Sequence, residues 1–157
     1  MVWYFAYGRN MNREVMLARN TSFSSERPAV LEGYKLVFNK IRDQSEKSGF
    51  SNIVKDANSR VEGVAFEVTE DCLKNLDRPE GFFGKNNPSN YYDKEPVTVE
   101  DRQGNRLTAT AFIANPAKIA PCLKPMKEYL EDLIKGAKQH SLSKEYVKML
   151  EEVETVD

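Results

Sequence analysis

Two stretches of this chain carry residues able to do chemistry. In LDRPEG, residues 76–81, Glu80 follows a proline and precedes a glycine. A carboxylate on so constrained a loop is held in one direction and partly desolvated, and both conditions suit a general base. Taken alone, an ordinary solvated glutamate on a turn is the stronger reading, since most glutamates are exposed. In YGRNMN, Tyr7–Asn12, an apolar segment stops at Gly8 and a short helical pattern follows. The first N–H groups of such a turn have no carbonyl partners, so they favour a carboxylate or phosphate. Gly8 permits close backbone approach. Arg9 adds a charged fork if its side chain points inward. The plain alternative is a strand–turn–helix corner with no ligand. Tyrosines are the third ingredient. Tyr4, Tyr7, Tyr92 and Tyr129 each offer a hydroxyl to a ligand, or a core ring with its hydroxyl satisfied at the edge.

The remaining inventory narrows the chemistry. His140 is the one histidine, and it falls in the polar stretch KGAKQHSLSKEY, where a solvated loop position is expected. A Ser–His or Cys–His nucleophile would have to use it. Cys72 and Cys122 are far apart without CxxC spacing, so two free thiols and no zinc site are expected. Neither GxGxxG nor GxxxxGKS/T occurs, so no nucleotide and no other cofactor is expected. With 23 basic and 24 acidic residues the net charge is −1, which removes a whole-domain pull on nucleic acid. No apolar run has the length needed to cross a bilayer. The N-terminal MVWYFAY has no basic region before it, so it reads as a core strand and a cytoplasmic location is expected. Catalysis then rests on carboxylates, tyrosines, backbone amides and one arginine.

Elements must position these groups. Hydrophobic residues at 40% and charged residues at 30% describe an ordinary globular chain, one domain over residues 1–157. Val2–Tyr7 has the apolar, aromatic character of a buried strand. Asn12 can cap a short helix carrying Val15 and Met16, with Leu17 adjacent. Gly33–Asn39 alternates Tyr34, Leu36 and Phe38 on one face of a strand. Residues 41–59 are polar and contain Gly49 and Asn58, so mostly loop is expected, with a short strand near Asn52–Val54. Val61–Val68 alternates again, with Gly63 marking a bulge or a close backbone approach. Thr69 caps a helix with Cys72, Leu73 and Leu76 inside, and Pro79 is expected to end it. Residues 81–91, GFFGKNNPSNY, form a loop. Val97–Glu100 and Leu107–Ala114 flank the hairpin turn DRQGN. Met126, Tyr129, Leu130, Leu133, Ile134 and Ala137 make one helical stripe, with Gly136 placed to help stop it. A last helix starts after Ser143 and buries Tyr146, Val147, Leu150 and Val153. The fold class is α+β, with about five strands, an antiparallel hairpin, and two or three helices packed alongside.

In order and spacing, these segments resemble the γ-glutamyl cyclotransferase family, which includes the AIG2-like proteins of plants. YFAYGRNMN at Tyr4–Asn12 is similar to the family's N-terminal signature, usually YFAYGSN. VEGVAFEV, a short helix and then LDRPEG are similar to its central segment, which usually ends LDxxEG. Tyr92 followed by VTV at Val97–Val99 is similar to the family's tyrosine and next strand. YLEDLIKGAKQHSLSKEYVKML, Tyr129–Leu150, is similar to its C-terminal helix, GA turn and final helix. The resemblance covers nearly the whole chain. It implies a small mixed β-barrel or strongly curved sheet with flanking helices. It implies that Glu80 stands at the catalytic glutamate, and that Tyr4, Phe5, Ala6, Tyr7, Gly8, Arg9 and Asn10 line the substrate pocket with Tyr92 and Tyr129. Two departures stand out. Arg9 replaces the family's serine, and the loop Phe82–Asn90 is longer, as a lid or a simple insertion.

The reaction so implied is closure of a γ-glutamyl group to 5-oxoproline, with release of an amine or amino acid. The nucleophile is the substrate's own α-nitrogen, so neither a serine or cysteine nucleophile nor a metal-activated water is required. Glu80 would act as general acid/base, and the YGRN loop would grip the α-carboxylate. The expected partner is a small γ-glutamyl molecule, with no nucleic acid and no membrane, in a monomer or homodimer. Two alternatives use the same residues. One is an enzyme unmasking a γ-glutamylated pathway intermediate. The other is a binding module of the same fold without turnover, which a Glu80 turned out of the pocket would favour.

Overall fold

The computed structural model describes residues 1–42 and 47–156. Five strands, β1 (Val2–Ala6), β2 (Ser25–Ile41), β3 (Gly49–Val68), β4 (Tyr92–Asp101) and β5 (Arg106–Ala114), close into a barrel in the order β1-β3-β2-β4-β5. Neighbours are antiparallel except β1 and β5, whose parallel pairs Trp3–Ala109 and Tyr4–Thr110 complete the ring. Side chains alternate across a strand. Phe5 and Tyr7 therefore join a cluster of strand residues that includes Val61, Ala65, Val97 and Val99, the barrel's filling. Tyr4 and Ala6 face the other way, toward a second cluster that holds Met16, Leu133, Ala137 and Leu150 from the helices.

β2 and β3 form a hairpin far longer than the sequence pattern predicts. Pairing runs from Ser25–Glu67 to Ile41–Gly49. The window 41–59 is thus mostly strand, not loop; its residues 43–46 lie outside the described residues. Two features disguise it. Residues 56–59 bulge opposite Gly33, which takes a left-handed φ of 79°, and Asp56 closes the bulge by accepting from Asn58 N and Ser59 Oγ, each at 3.0 Å. Of the buried side chains before the bulge, Ser48, Ser51 and Asn52 are polar and Ile53 alone is a large apolar one. Asn52 substitutes for strand pairing: its Oδ1 accepts from Ala114 N at 2.9 Å and its Nδ2 donates to Asn39 at 3.0 Å. Gly63 is a close approach, because a Cβ there would lie 2.4 Å from Ala6 O.

Helices pack on one side. α1 (Arg13–Ala18) is capped by Asn12, whose side chain accepts from Glu14 N at 3.0 Å. Met16 is buried and Leu17 is exposed. α2 (Glu70–Lys74) is capped by Thr69. Pro79 does not end this helix. α2 stops at Lys74, and Pro79 lies inside a separate turn of helix, α3 (Asp77–Glu80). In a first turn its missing N–H breaks no ladder bond. α4 (Lys127–Gln139) and α5 (Lys144–Glu151) follow, the latter capped by Ser143, with Tyr146 and Leu150 buried and Val147 and Val153 half-buried. Gly136 does not stop α4 either. A Cβ on it would sit 2.6 Å from Met11 Cβ and 2.7 Å from Asn12 N, so its role is close packing. His140 is not a solvated loop residue. It is 5% exposed, with Nε2 3.0 Å from Met11 O and its ring edge-on to Phe66. α4 and α5 fold back on the barrel, where Leu133, Ala137, Tyr146 and Leu150 join the cluster that holds Tyr4 and Ala6. Among the described residues, no helix is long and apolar enough to cross a membrane.

Candidate active site

The site is built where β1 runs out. After Tyr7 the chain turns at Gly8 into a 3-10 turn, Arg9–Met11. Gly8 has an ordinary φ of −116°, so glycine is needed here for space: a Cβ would lie 2.3 Å from Ser51 Oγ. The neighbour that crowds Gly8 is thus a side chain of β3. α4 presses on the turn from the other side through Gly136. Held between them, Asn10 is buried and its Nδ2 donates to Tyr4 Oη at 2.9 Å and to Glu80 Oε1 at 3.0 Å.

α3 delivers Glu80 from the opposite direction. Gly81 ends the helix in the left-handed region, φ 66°, and two bonds lock the turn: Phe82 N–H to Asp77 O at 2.8 Å and Gly81 N–H to Arg78 O at 3.1 Å. A Cβ on Gly81 would also strike the Tyr91 ring at 2.3 Å. Lys94 of β4 pairs with Asp77 at 2.5 Å and so ties α3 to the barrel. Just past α1, Arg19 Nη1 reaches Asn10 Oδ1 at 2.7 Å and Glu80 Oε1 at 3.2 Å. The side chains of Glu80 and Arg19 are only 17% and 21% exposed. Burial raises the Glu80 carboxyl above the usual carboxylate range, while Arg19, Asn10 and Lys40 pull it down.

The four tyrosines converge beside this triad. Tyr92 donates to Ser51 O at 2.7 Å. Tyr129 Oη accepts from Ser51 N at 3.0 Å and lies 2.8 Å from Ser51 Oγ. Tyr7 donates to Phe112 O. Burial pushes all four phenols up, Tyr129 to about 12, so each is a neutral O–H at neutral pH.

These groups border a cavity of about 700 Å³. Of the residues expected from sequence, Tyr4, Tyr7, Gly8, Arg9, Asn10, Glu80, Tyr92 and Tyr129 line it. Phe5 and Ala6 do not. Phe5 is turned into the barrel's filling and Ala6 is sealed under the helices. Arg9 reaches the lining from the rim, with its side chain 46% exposed and Nε bonded to Asp132 at 2.6 Å. The arginine that enters the site is therefore Arg19. The loop Phe82–Asn90 contributes nothing to the lining. It is braced by buried Asn90, which accepts from Phe83 N at 2.7 Å and donates to Gly84 O at 2.8 Å. Sequence reasoning missed Arg19, Lys40, Ser51, Tyr91 and Lys118, all of which line the cavity. A signal for Arg19 did exist in principle, because a desolvated carboxylate calls for a cation beside it. Among the described residues, Glu80 is the one carboxylate in the lining and no cluster of three or more His, Cys, Asp or Glu is set for a metal ion.

Comparison with known proteins places this geometry. Residues 4–132 match the family model described as gamma-glutamyl cyclotransferase, AIG2-like. A curated relative from Bos taurus, named gamma-glutamylcyclotransferase, is 29% identical over 157 residues, covering 98% of this chain and 79% of the relative. The Homo sapiens protein of the same name is 28% identical with the same coverage. A solved structure named gamma-glutamyl cyclotransferase superimposes with a TM-score of 0.82 at 26% identity, over 99% of this chain and 89% of the other. The expected barrel with flanking helices is the fold of that structure too. With a closed mixed barrel, a buried glutamate at its rim and a family match across most of its length, this chain belongs to the gamma-glutamyl cyclotransferase, AIG2-like family of enzymes.

Proposed function

We propose that this protein converts a γ-glutamyl amide to 5-oxoproline and a free amine, with Glu80 moving the proton. The observation that carries this is the burial of Glu80 in the cavity wall between a cation, Arg19, and an amide donor, Asn10. The substrate's α-ammonium is unreactive until it loses a proton. An ionised Glu80 with a raised pKa accepts that proton and is still acidic enough to return it. The freed α-nitrogen attacks the γ-carbonyl, forming the ring C–N bond. The exocyclic C–N bond then breaks as Glu80 protonates the departing nitrogen. The ring nitrogen sheds its second proton, which passes by way of the same carboxylate to the released amine, so the two protons lost by the α-ammonium both end on the leaving nitrogen and no water is consumed.

Three tasks fall to other groups. The turn Gly8–Asn10 holds the α-carboxylate through its backbone amides, folding the chain into a near-attack shape. Neutral tyrosine hydroxyls, Tyr4 nearest the Asn10–Glu80 pair, supply donors to the developing oxyanion. The rings of Phe50, Tyr91 and Phe112 exclude water from the rest of the cavity. Glu80 faces inward, whereas the reading without turnover is the one that an outward Glu80 would favour.

The test is release of 5-oxoproline across a panel of γ-glutamyl amino acids and amines. Glu80→Gln is expected to keep the circular dichroism and melting profile of a folded protein and to lose about a hundredfold or more in kcat. Unimpaired turnover in Glu80→Gln would overturn the assignment.

A further inference from the structure

We propose that Ser51 is a positioning residue that holds the Tyr129 hydroxyl as an acceptor and so turns the phenol's own proton into the cavity, where it meets the oxyanion of ring closure. This rests on the cyclisation reading above and assigns the donor which that reading needs. A phenol brings one proton and can accept twice. Tyr7 spends its proton on Phe112 O, and Tyr92 spends its own on Ser51 O. Tyr4 accepts from the Asn10 amide that also serves Glu80, so its hydroxyl stands at the proton-transfer end. Tyr129 is differently placed. Its Oη accepts from Ser51 N at 3.0 Å and lies 2.8 Å from Ser51 Oγ.

The Ser51–Tyr129 pair holds two hydroxyl protons, and one of them lies between the oxygens. Among the described residues, no other acceptor is bonded to Ser51 Oγ or Tyr129 Oη. Ser51 is 4% exposed, whereas Tyr129 is half-buried and lines the cavity. An unspent proton on Ser51 would be a buried donor without a partner, which is costly. Ser51 therefore donates, and the free proton belongs to Tyr129. Its place is fixed as well. A Cβ on Gly8 would lie 2.3 Å from Ser51 Oγ and 3.6 Å from Tyr129 Oη, so both oxygens border the turn assigned to the α-carboxylate. Ring closure brings the γ-oxygen to the flank of the same nitrogen that bears the α-carbon, within reach of a donor there. Phe50, next to Ser51 on β3, packs on the phenol ring with centroids 4.9 Å apart. Accepting twice also polarises the Tyr129 O–H. Burial raises this phenol to about 12, and the two Ser51 contacts are the largest forces drawing it back. A donor so strengthened stabilises an oxyanion more than the carbonyl it forms from.

The experiment is single-turnover release of 5-oxoproline from the fastest donor of the panel above, in Ser51→Ala, Tyr129→Phe and the double variant. Tyr129→Phe is expected to lower the rate about a hundredfold, with the half-saturating concentration within about twofold of wild type. Ser51→Ala removes Oγ and keeps the backbone N–H. It is expected to lower the rate about three- to tenfold in the same manner, and to cost nothing further in Tyr129→Phe. Ser51→Cys, near serine in size and a weaker donor, carries the same cycle if the alanine variant melts early. An undiminished rate in either single variant overturns the proposal. So does an equal loss from Ser51→Ala with and without the phenol hydroxyl, which would mean that Ser51 acts on the Gly8 turn alone. A change confined to the half-saturating concentration overturns it too, because the pair would then hold ground-state substrate. Absence of 5-oxoproline from the wild type with every donor sinks the cyclisation reading together with this role. Release that is lost in Glu80→Gln and untouched in Ser51→Ala sinks this role alone.

Discussion

Burial and Arg19 act on the Glu80 carboxyl in opposite directions. Burial raises the carboxyl, and the guanidinium 3.2 Å away is the largest force drawing it back. Replacing Arg19 by Met removes the largest of these and leaves Asn10 and Lys40 to oppose burial. On the proposed mechanism Glu80 must ionise before it can take a proton, so the acid limb of the kcat/KM profile is then expected to move up by about one pH unit or more. Turnover at neutral pH is expected to drop with it. A profile that stays in place in Arg19→Met would separate Arg19 from the proton. Arg9 is the contrast. Its pairing with Asp132 is half exposed, and such pairs contribute about 0–1 kcal/mol. Arg9→Ser is expected to change urea stability by no more than that and to leave the acid limb where it was. The difference explains what was legible. Glu80 lies between a proline and a glycine, a local constraint visible in six letters. Arg19 meets it across 61 residues, and no local pattern encodes that meeting.

At the scale of elements, the turn Arg9–Met11 is the part with least freedom. α4 approaches it so closely that Gly136 has no room for a methyl group. Helix propensity alone favours Ala over Gly by about 1 kcal/mol. Overpacking against backbone and Met11 costs about 1–3 kcal/mol, so Gly136→Ala is expected to be net destabilising by urea denaturation. The same displacement carries Asn10 away from Glu80, so kcat is expected to fall as well. A stabilised and fully active Gly136→Ala would mean that α4 and the turn move apart freely. Gly136 resembles a helix stop in sequence because its neighbours in space, Met11 and Asn12, are far away along the chain. The β2–β3 hairpin was hidden for a related reason. Alternation exposed Tyr34–Phe38 and Val64–Val68, where the inner face is apolar. It failed at Ser48–Asn52, where the inner face is polar and satisfied by Tyr92, Tyr129, Ala114 and Asn39. Ser51, which lines the cavity, is one of the residues that break the pattern.

At the scale of the molecule, barrel closure and site assembly share a residue. Tyr4 pairs with Thr110 to close β1 on β5, and its hydroxyl meets Asn10 inside the cavity. His140 fastens the other end of the same unit, with Nε2 against Met11 O beneath the turn. Two buried titrating groups therefore give the fold opposite pH dependences. Burial lowers the His140 pKa, against an opposing pull from Glu26 and a further push from Arg13. The unfolded chain then binds the proton first, so the stability His140 contributes is full above about pH 6.5 and lost below it. Glu80, with its pKa raised, contributes most below about pH 4.5 and loses that contribution as pH rises through its folded value. Between these limits acidification is expected to weaken the fold through His140 while relieving it through Glu80. Urea denaturation from pH 7 to 5 should show a fall that is shallower in His140→Gln and steeper in Glu80→Gln. One proton limits each slope change to about 1.4 kcal/mol per pH unit. Equal slopes in all three proteins would mean that neither group changes its proton affinity on folding, and a Glu80 of ordinary acidity would lose the property that suits it to both halves of the reaction.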